Sequence, residues 1–350
     1  MDLLTNLLGS NGLRPLSEPP AWPSNVADDH TQVEFSLAFN GAEPPSLRVL
    51  GEVLGSPPGP QTNMSAGYEF IDSQAVKFGW STSRLNAVRD LFATQQPQGV
   101  FALWFSLVFR SGRPPELKIY LNPEVKGVEQ ASGLVGEALG RLRMGRSYRN
   151  LLDHVIRPGE LGLGDRLTFF ALDLHDGPQA RIKLYLTHHH AEVHDVVRAA
   201  GVVKDVDATE AAKFCATAAG TSRFSGRPLV GSYTLTQGAD EPVGYSIYVP
   251  IRSYVSDDEQ ARDRAVALLD RYGFDDGTLD RALAKLTSRP LRDGVGLIPH
   301  VSLRLGRPRP GVTVYLSAEA YQISQPHLVQ IPATRNPADR SSSRTRAVIG

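Results

Sequence analysis

The chain has 350 residues, with 37 basic and 37 acidic side chains and a formal net charge of zero. Balanced charge excludes the bulk electrostatic attraction that drives non-specific binding to nucleic acid or anionic membrane. No run approaches the roughly 18 apolar residues of a membrane-spanning helix. A single cysteine, Cys215, excludes an intrachain disulfide framework and suits a reducing, cytoplasmic setting.

In chain order, the opening MDLLTNLLGS carries an early acid and no basic stretch, so it reads as a short helix and not as a signal peptide. Strand signals then arrive in pairs. TQVEFSLAFN (31–40) and SLRVLGEV (46–53) are split by GAEPP; FALWFSLVFR (101–110) and ELKIYL (116–121) are split by SGRPP. LTFFALDL (167–174) and ARIKLYL (180–186) flank HDGPQ, and VGSYTLTQ (230–237) and GYSIYVPI (244–251) flank GADEPV. HVSLRLG (300–306) and VTVYLS (312–317) flank RPRPG. Gly and Pro in each split are hairpin punctuation.

Between the pairs lie helical patterns. Residues 81–95 place Leu85, Val88, Leu91 and Phe92 at helical spacing, and 127–155, 191–220 and 256–286 read the same way. The last of these opens on Ser256-Asp257-Asp258-Glu259, which is N-cap chemistry. The predicted architecture is α+β: five ββαα repeats whose ten antiparallel strands close into a barrel ringed by helices, one domain over 1–325. The Pro-, Arg- and Ser-rich tail, 326–350, is predicted to be disordered.

One spelling recurs in the second strands of four pairs: LKIYL, IKLYL, SIYVP and TVYLS. Their tyrosines, Tyr120, Tyr185, Tyr248 and Tyr315, fall 63 to 67 residues apart. Lys118 and Lys183 stand two residues before the first two, although the chain has only 7 lysines. A side-chain period of two puts each Lys and Tyr on one face of its strand. Apolar runs with a tyrosine recur in many β-rich proteins. The ordered recurrence with cations argues instead for a lumen lined by Glu34, Ser36, Trp104, Lys118, Tyr120, Arg181, Lys183, Tyr185, Ser246, Tyr248, Arg304 and Tyr315. Polar groups are not buried in such number without use.

These motifs in order, VEFSLAF with SLRVLGE, ELKIYLNP, ARIKLYL, GYSIYVP and VTVYL, resemble the aromatic prenyltransferases of the dimethylallyltryptophan synthase type, whose fold is the ABBA or PT barrel. The resemblance covers about residues 30–320, and the compact length is similar to bacterial members. It implies transfer of a dimethylallyl group from dimethylallyl diphosphate to an indole acceptor, without metal or other cofactor. By the same resemblance Glu34 accepts the indole N–H. Arg48, Lys118, Arg181, Lys183 and Arg304 bind diphosphate, and Tyr120, Tyr185, Tyr248 and Tyr315 ring the carbocation. Fixed cations stabilise a departing diphosphate, and phenol faces attract an allylic cation by about 0.5–2 kcal/mol each.

The pattern also departs from the family. Ser246 stands where a glutamine is common, which alters one phosphate or prenyl contact, and with Trp104 and Arg166 it is assigned to the acceptor pocket. Strand 101–109 lacks the lysine associated with C4 prenylation, leaving Trp104 as an acceptor-pocket residue. Arg166 is placed either on a substrate carboxylate or on the surface. His188-His189-His190 points alternately along a strand end and reads as no metal site. The acidic pairs make no DDxxD motif. Two readings stay beside the leading one: the same barrel acting on a phenolic or naphthol-like acceptor, and a non-catalytic small-ligand barrel. The expected partners are the two small substrates alone, on a monomer or homodimer.

Overall fold

The structure, a computed structural model, describes residues 2–41, 43–177, 180–306 and 309–327. Besides a small two-stranded sheet, Ala191–Glu192 with Arg223–Phe224, ten strands build one barrel, their hairpins separated by helices: β1 (Val33–Asn40), β2 (Ser46–Gly51), β3 (Leu103–Phe109), β4 (Glu116–Leu121), β5 (Asp165–Asp173), β6 (Arg181–His188), β7 (Leu229–Thr236), β8 (Gly244–Val249), β9 (Val301–Leu305) and β10 (Gly311–Leu316). Every strand pairs antiparallel with its neighbour in sequence, and β1 pairs with β10, from Phe35 opposite Leu316 to Asn40 opposite Gly311. The sheet is thereby a closed barrel, as the hairpin pattern predicts.

Alternation along each strand sorts the side chains. In β4, Ile119 is fully buried against the outer shell while Lys118 and Tyr120 on either side turn inward. Ile182, Leu184 and Leu186 of β6, and Val312 and Val314 of β10, are likewise sealed outside the lumen. Helices cover this apolar outer face: α1 (Asp2–Leu8), α2 (Pro60–Phe78), α3 (Ser83–Asn86), α4 (Arg89–Phe92), α5 (Ala131–Arg141), α6 (Gly145–Val155), α7 (Val193–Ala200), α8 (Ala208–Ala219), α9 (Asp258–Arg271) and α10 (Gly277–Leu286). The N-cap expectation holds at Asp257, whose carboxylate accepts from the Gln260 N–H at 2.9 Å. Among the described residues no helix is long and apolar enough to cross a membrane.

Three expectations are corrected. The helix over 81–95 is two short pieces, α3 and α4, because the chain leaves helical geometry at Val88 (φ −127°). Leu85, Val88 and Phe92 stay buried together all the same. The long helix α2 was not foreseen: its buried face mixes Met64, Phe70 and Ile71 with Asn63, Gly67 and Gln74, which blurs the hydrophobic period. Gly67 there lets the helix approach the sheet, since an added Cβ would lie 2.7 Å from the Leu103 side chain. The fifth hairpin carries no helical pair among the described residues; 317–327 runs as coil, and α1 packs Leu7 beside Val33 and Gly51 of the first hairpin. His327 is hydrogen-bonded to Ser256 and Val255; the rest of the predicted tail, 328–350, lies outside the described residues.

A buried ionic knot ties the loop after α6 to β5, β6 and α7. Arg157 reaches Asp165 at 2.8 Å and Asp195 at 3.5 Å, and the His188 ring sits 2.8 Å from Asp165. The Arg157 and Asp165 side chains are 1% and 0% exposed. Removing Arg157 leaves the Asp165 carboxylate buried without its guanidinium partner. Arg157→Ala is therefore expected to lower unfolding stability by about 3–5 kcal/mol in a urea titration. A loss below about 1 kcal/mol, the range of exposed pairs, would refute the buried assignment.

Candidate active site

Cross-strand register gathers the inward residues into layers. Ser36 lies opposite both Arg48 and Tyr315; Lys118 lies opposite Ser106 and Asp173; Ser246 lies opposite Arg304 and Ser232. Of these, Arg48, Ser106, Lys118, Asp173, Ser246 and Arg304 line a cavity of about 850 Å³ that opens at the hairpin-turn end, within the size range of small-ligand sites.

The turn-side layer holds the cations. Arg48, Lys118, Arg181, Lys183 and Arg304 all line the cavity. Asp173, which sequence reasoning missed, stands among them, 3.1 Å from Lys118 and 2.7 Å from Arg181. Lys183 donates to the Ser246 hydroxyl at 3.3 Å. Ser246 thus lies in the cation layer, beside Lys183. Burial, and then the charges of Lys118, Arg181 and Arg48, hold Lys183 well below the usual lysine range. Burial also lowers Lys118, with Asp173 opposing and Arg181 and Arg48 adding to the effect. Arg304 donates to Asn40 and to the Arg309 carbonyl. The layer carries a surplus of positive charge, and a polyanion is the ligand that relieves it.

Deeper in the lumen the four tyrosines form a contiguous arc. Ring centroids lie 5.8 Å apart for Tyr120–Tyr185, 5.7 Å for Tyr185–Tyr248 and 6.1 Å for Tyr248–Tyr315, each pair tilted by about 50°. Burial, reinforced by the neighbouring phenols, pushes the Tyr185 and Tyr315 hydroxyls well above the ordinary phenol range. Burial likewise raises Tyr120. These rings are neutral, electron-rich surfaces, suited to facing a carbocation.

Beyond the arc is an aromatic end. Phe169 lies 5.5 Å edge-on from Tyr185 and 5.6 Å from Trp104, and Trp104 stacks on Phe101 at 4.3 Å. The Trp104 indole N–H is buried without a hydrogen-bond partner. Glu34, on β1 opposite Leu50, is buried too. Burial first, and then the charge of Asp28, raises its carboxyl well above the usual range. Asp28 itself is bound by Arg227 at 2.6 Å and by Arg252, which outweigh its own burial and keep it ionised. Burial pushes His300, 6.1 Å edge-on to Tyr315, down to about 4. None of Asp28, Phe101, Phe169, Arg227, Arg252 and His300 was foreseen as a site residue; only Phe101, Phe169 and His300 lay in predicted strands. Arg166 makes a bidentate pair with Glu124 at 2.8 and 2.6 Å, so in this state a protein carboxylate already engages it. His188 is engaged by Asp165, and among the described residues no group of three metal-ligating side chains converges.

A closed lumen that stacks a cation layer, a neutral phenol arc and an aromatic end with one buried carboxylate defines an aromatic prenyltransferase. The sequence model of tryptophan dimethylallyltransferase matches residues 3–281. The chain is 72% identical to the 6-dimethylallyltryptophan synthase from Micromonospora olivasterospora, solved in complex with DMASPP and Trp; the match covers 93% of this chain and 92% of that one, with a TM-score of 0.90. It is 38% identical to the prenyltransferase PriB, solved as a ternary complex with L-tryptophan and dimethylallyl thiolodiphosphate, over 93% and 91% of the two chains (TM-score 0.86). It is 37% identical to the 5-dimethylallyltryptophan synthase from Streptomyces coelicolor, over 92% and 91% (TM-score 0.84). The chain belongs to the tryptophan dimethylallyltransferase family.

Proposed function

We propose that this enzyme transfers the dimethylallyl group of dimethylallyl diphosphate to C6 of the indole ring of tryptophan, without a metal ion. The layering of cations, phenols and a buried carboxylate along one lumen carries the chemistry. The choice of C6 rests on 72% identity to a 6-dimethylallyltryptophan synthase against 37% to a 5-dimethylallyltryptophan synthase.

In this reading Arg48, Lys118, Arg181, Lys183 and Arg304 hold the diphosphate. The C1–O bond breaks and the diphosphate leaves with the electron pair, its growing charge met by fixed cations. Tyr120, Tyr185, Tyr248 and Tyr315 face the allyl cation and keep water from it. Glu34 accepts the indole N–H, which orients the ring and feeds electron density into it as C6 attacks. The new C–C bond forms, and loss of the C6 proton restores aromaticity. Trp104 and Phe169 wall the acceptor, and Arg166 reaches a tryptophan carboxylate once Glu124 yields it.

The test is incubation with dimethylallyl diphosphate, L-tryptophan and excess chelator. One product, heavier by one prenyl unit and substituted at C6 by NMR, is expected. Substitution at another carbon overturns the position. Turnover of phenols but of no indole overturns the acceptor, and ligand retention without diphosphate release would make the barrel a binding protein. Loss of turnover on chelation overturns metal independence.

A further inference from the structure

Asp173 is the one acid set directly between two of the cations of the donor layer among the described residues. It ends β5 directly opposite Lys118 of β4, and across the next hairpin it meets Arg181 of β6. Its Oδ1 takes the Lys118 ammonium at 3.1 Å, and its Oδ2 takes Arg181 Nε at 2.7 Å and the Arg181 backbone N–H at 3.3 Å. A carboxylate in an anion site repels the ligand, so its presence needs a compensating use. The two cations on flanking strands would otherwise face each other without an intervening counter-charge.

We propose that Asp173 is the positioning residue of the donor layer: clamped between Lys118 and Arg181, it fixes both and maintains Lys118 as an ammonium until the donor's diphosphate replaces it as counter-ion. The inference rests on the diphosphate reading of the site. The charged groups around Asp173 are Lys118 and Glu116 from β4, Arg181 and Lys183 from β6, Arg48 from β2 and Arg84 from α3, with His175 on the following turn. Glu116 is engaged by Arg110, so it does not substitute for Asp173. The two lysines are the groups whose charge burial weakens; the arginines stay charged. Burial and Arg181 both favour a neutral Lys118, and Asp173 is the largest opposing influence. Asp173 itself stays ionised: burial resists, but Lys118 and Arg181 lower it far below its usual value.

The experiment is calorimetric binding of inorganic pyrophosphate between about pH 7 and pH 9 to wild type, D173N, K118R and D173N/K118R. D173N is expected to lose affinity with rising pH at least about tenfold more than wild type, as its Lys118 deprotonates. Arginine at 118 keeps its charge, so D173N/K118R is expected to follow the slope of K118R within about threefold. Pyrophosphate's own titration is common to all four proteins. If D173N does not fold, the pair K118R and D173N/K118R carries the test alone, and a pH-dependent loss in the double variant overturns the proposal. Pyrophosphate binding by D173N that is equal to or tighter than wild type, with the same slope, also overturns it, because Asp173 would then only repel the ligand. Absence of pyrophosphate binding to wild type would overturn the site reading and the proposal together.

Discussion

Glu34→Gln is expected to lower prenylation of tryptophan by about 100-fold or more, the scale of losing one well-placed charge-stabilising group. Pyrophosphate affinity should stay within about threefold, since Glu34 lies below the phenol arc and contacts no cation of the donor layer. The amide keeps the size and can still accept a hydrogen bond, but it carries no negative charge to stabilise the cationic ring that forms on attack. Burial and the Asp28 charge raise the Glu34 carboxyl, so in wild type the carboxylate form is lost as pH falls through that raised value. Turnover should fall on the acid side, and this limb should be missing from E34Q. Stability should move the other way. Between the ordinary carboxyl value, 4.5, and the raised one, the folded protein retains a proton that the unfolded chain has released. Folding stability from Glu34 therefore declines as pH rises through that window. E34Q should be the more stable protein at about pH 8, and the advantage should vanish below about pH 4. Glu52, raised to about 7 by burial, is common to both proteins and cancels in the comparison. Equal loss of acceptor turnover and pyrophosphate binding would contradict the role given to Glu34.

Arg48→Ala should lower kcat/KM for dimethylallyl diphosphate by about 100- to 1,000-fold, with Arg48→Lys recovering only part of it. Arg48 Nε is buried and makes no hydrogen bond, so no protein partner holds this edge of the guanidinium. Its charge also depresses Lys118, Lys183 and Arg304. Removing it relieves repulsion, and the thermal midpoint of R48A should not fall. Loss of activity at unchanged or higher stability separates a ligand-binding role from a structural one. A kcat/KM within about threefold of wild type would remove Arg48 from the site.

The donor half of the lumen was legible because strand alternation wrote it five times over. Lys118 with Tyr120 and Lys183 with Tyr185 announce one inward face, and the hairpins set their neighbours. Asp173 escaped because β5 shifts register between Leu167 and Phe169, so alternation counted from its start points the wrong way at its end. The acceptor end left little trace. Asp28 comes from irregular chain before β1, Arg227 and Arg252 from the segments flanking β7 and β8, and His300 from just before β9. No period connects such residues; only the folded chain brings them to one end of the barrel. Helix α2 hid for a related reason, since its buried stripe is partly polar.

All but one seam of the barrel joins strands that follow one another along the chain. The exception is β1 against β10, where Phe35 faces Leu316. Nine seams can form as synthesis proceeds, each within reach of the last, but the tenth must await nearly the whole polypeptide. Until then the lumen is a trough. The last hairpin brings Arg304 and Tyr315, so the cation layer and the phenol arc are completed in the same event that shuts the wall. A growing or truncated chain that exposes its cations therefore has no sealed chamber in which an allyl cation could be released.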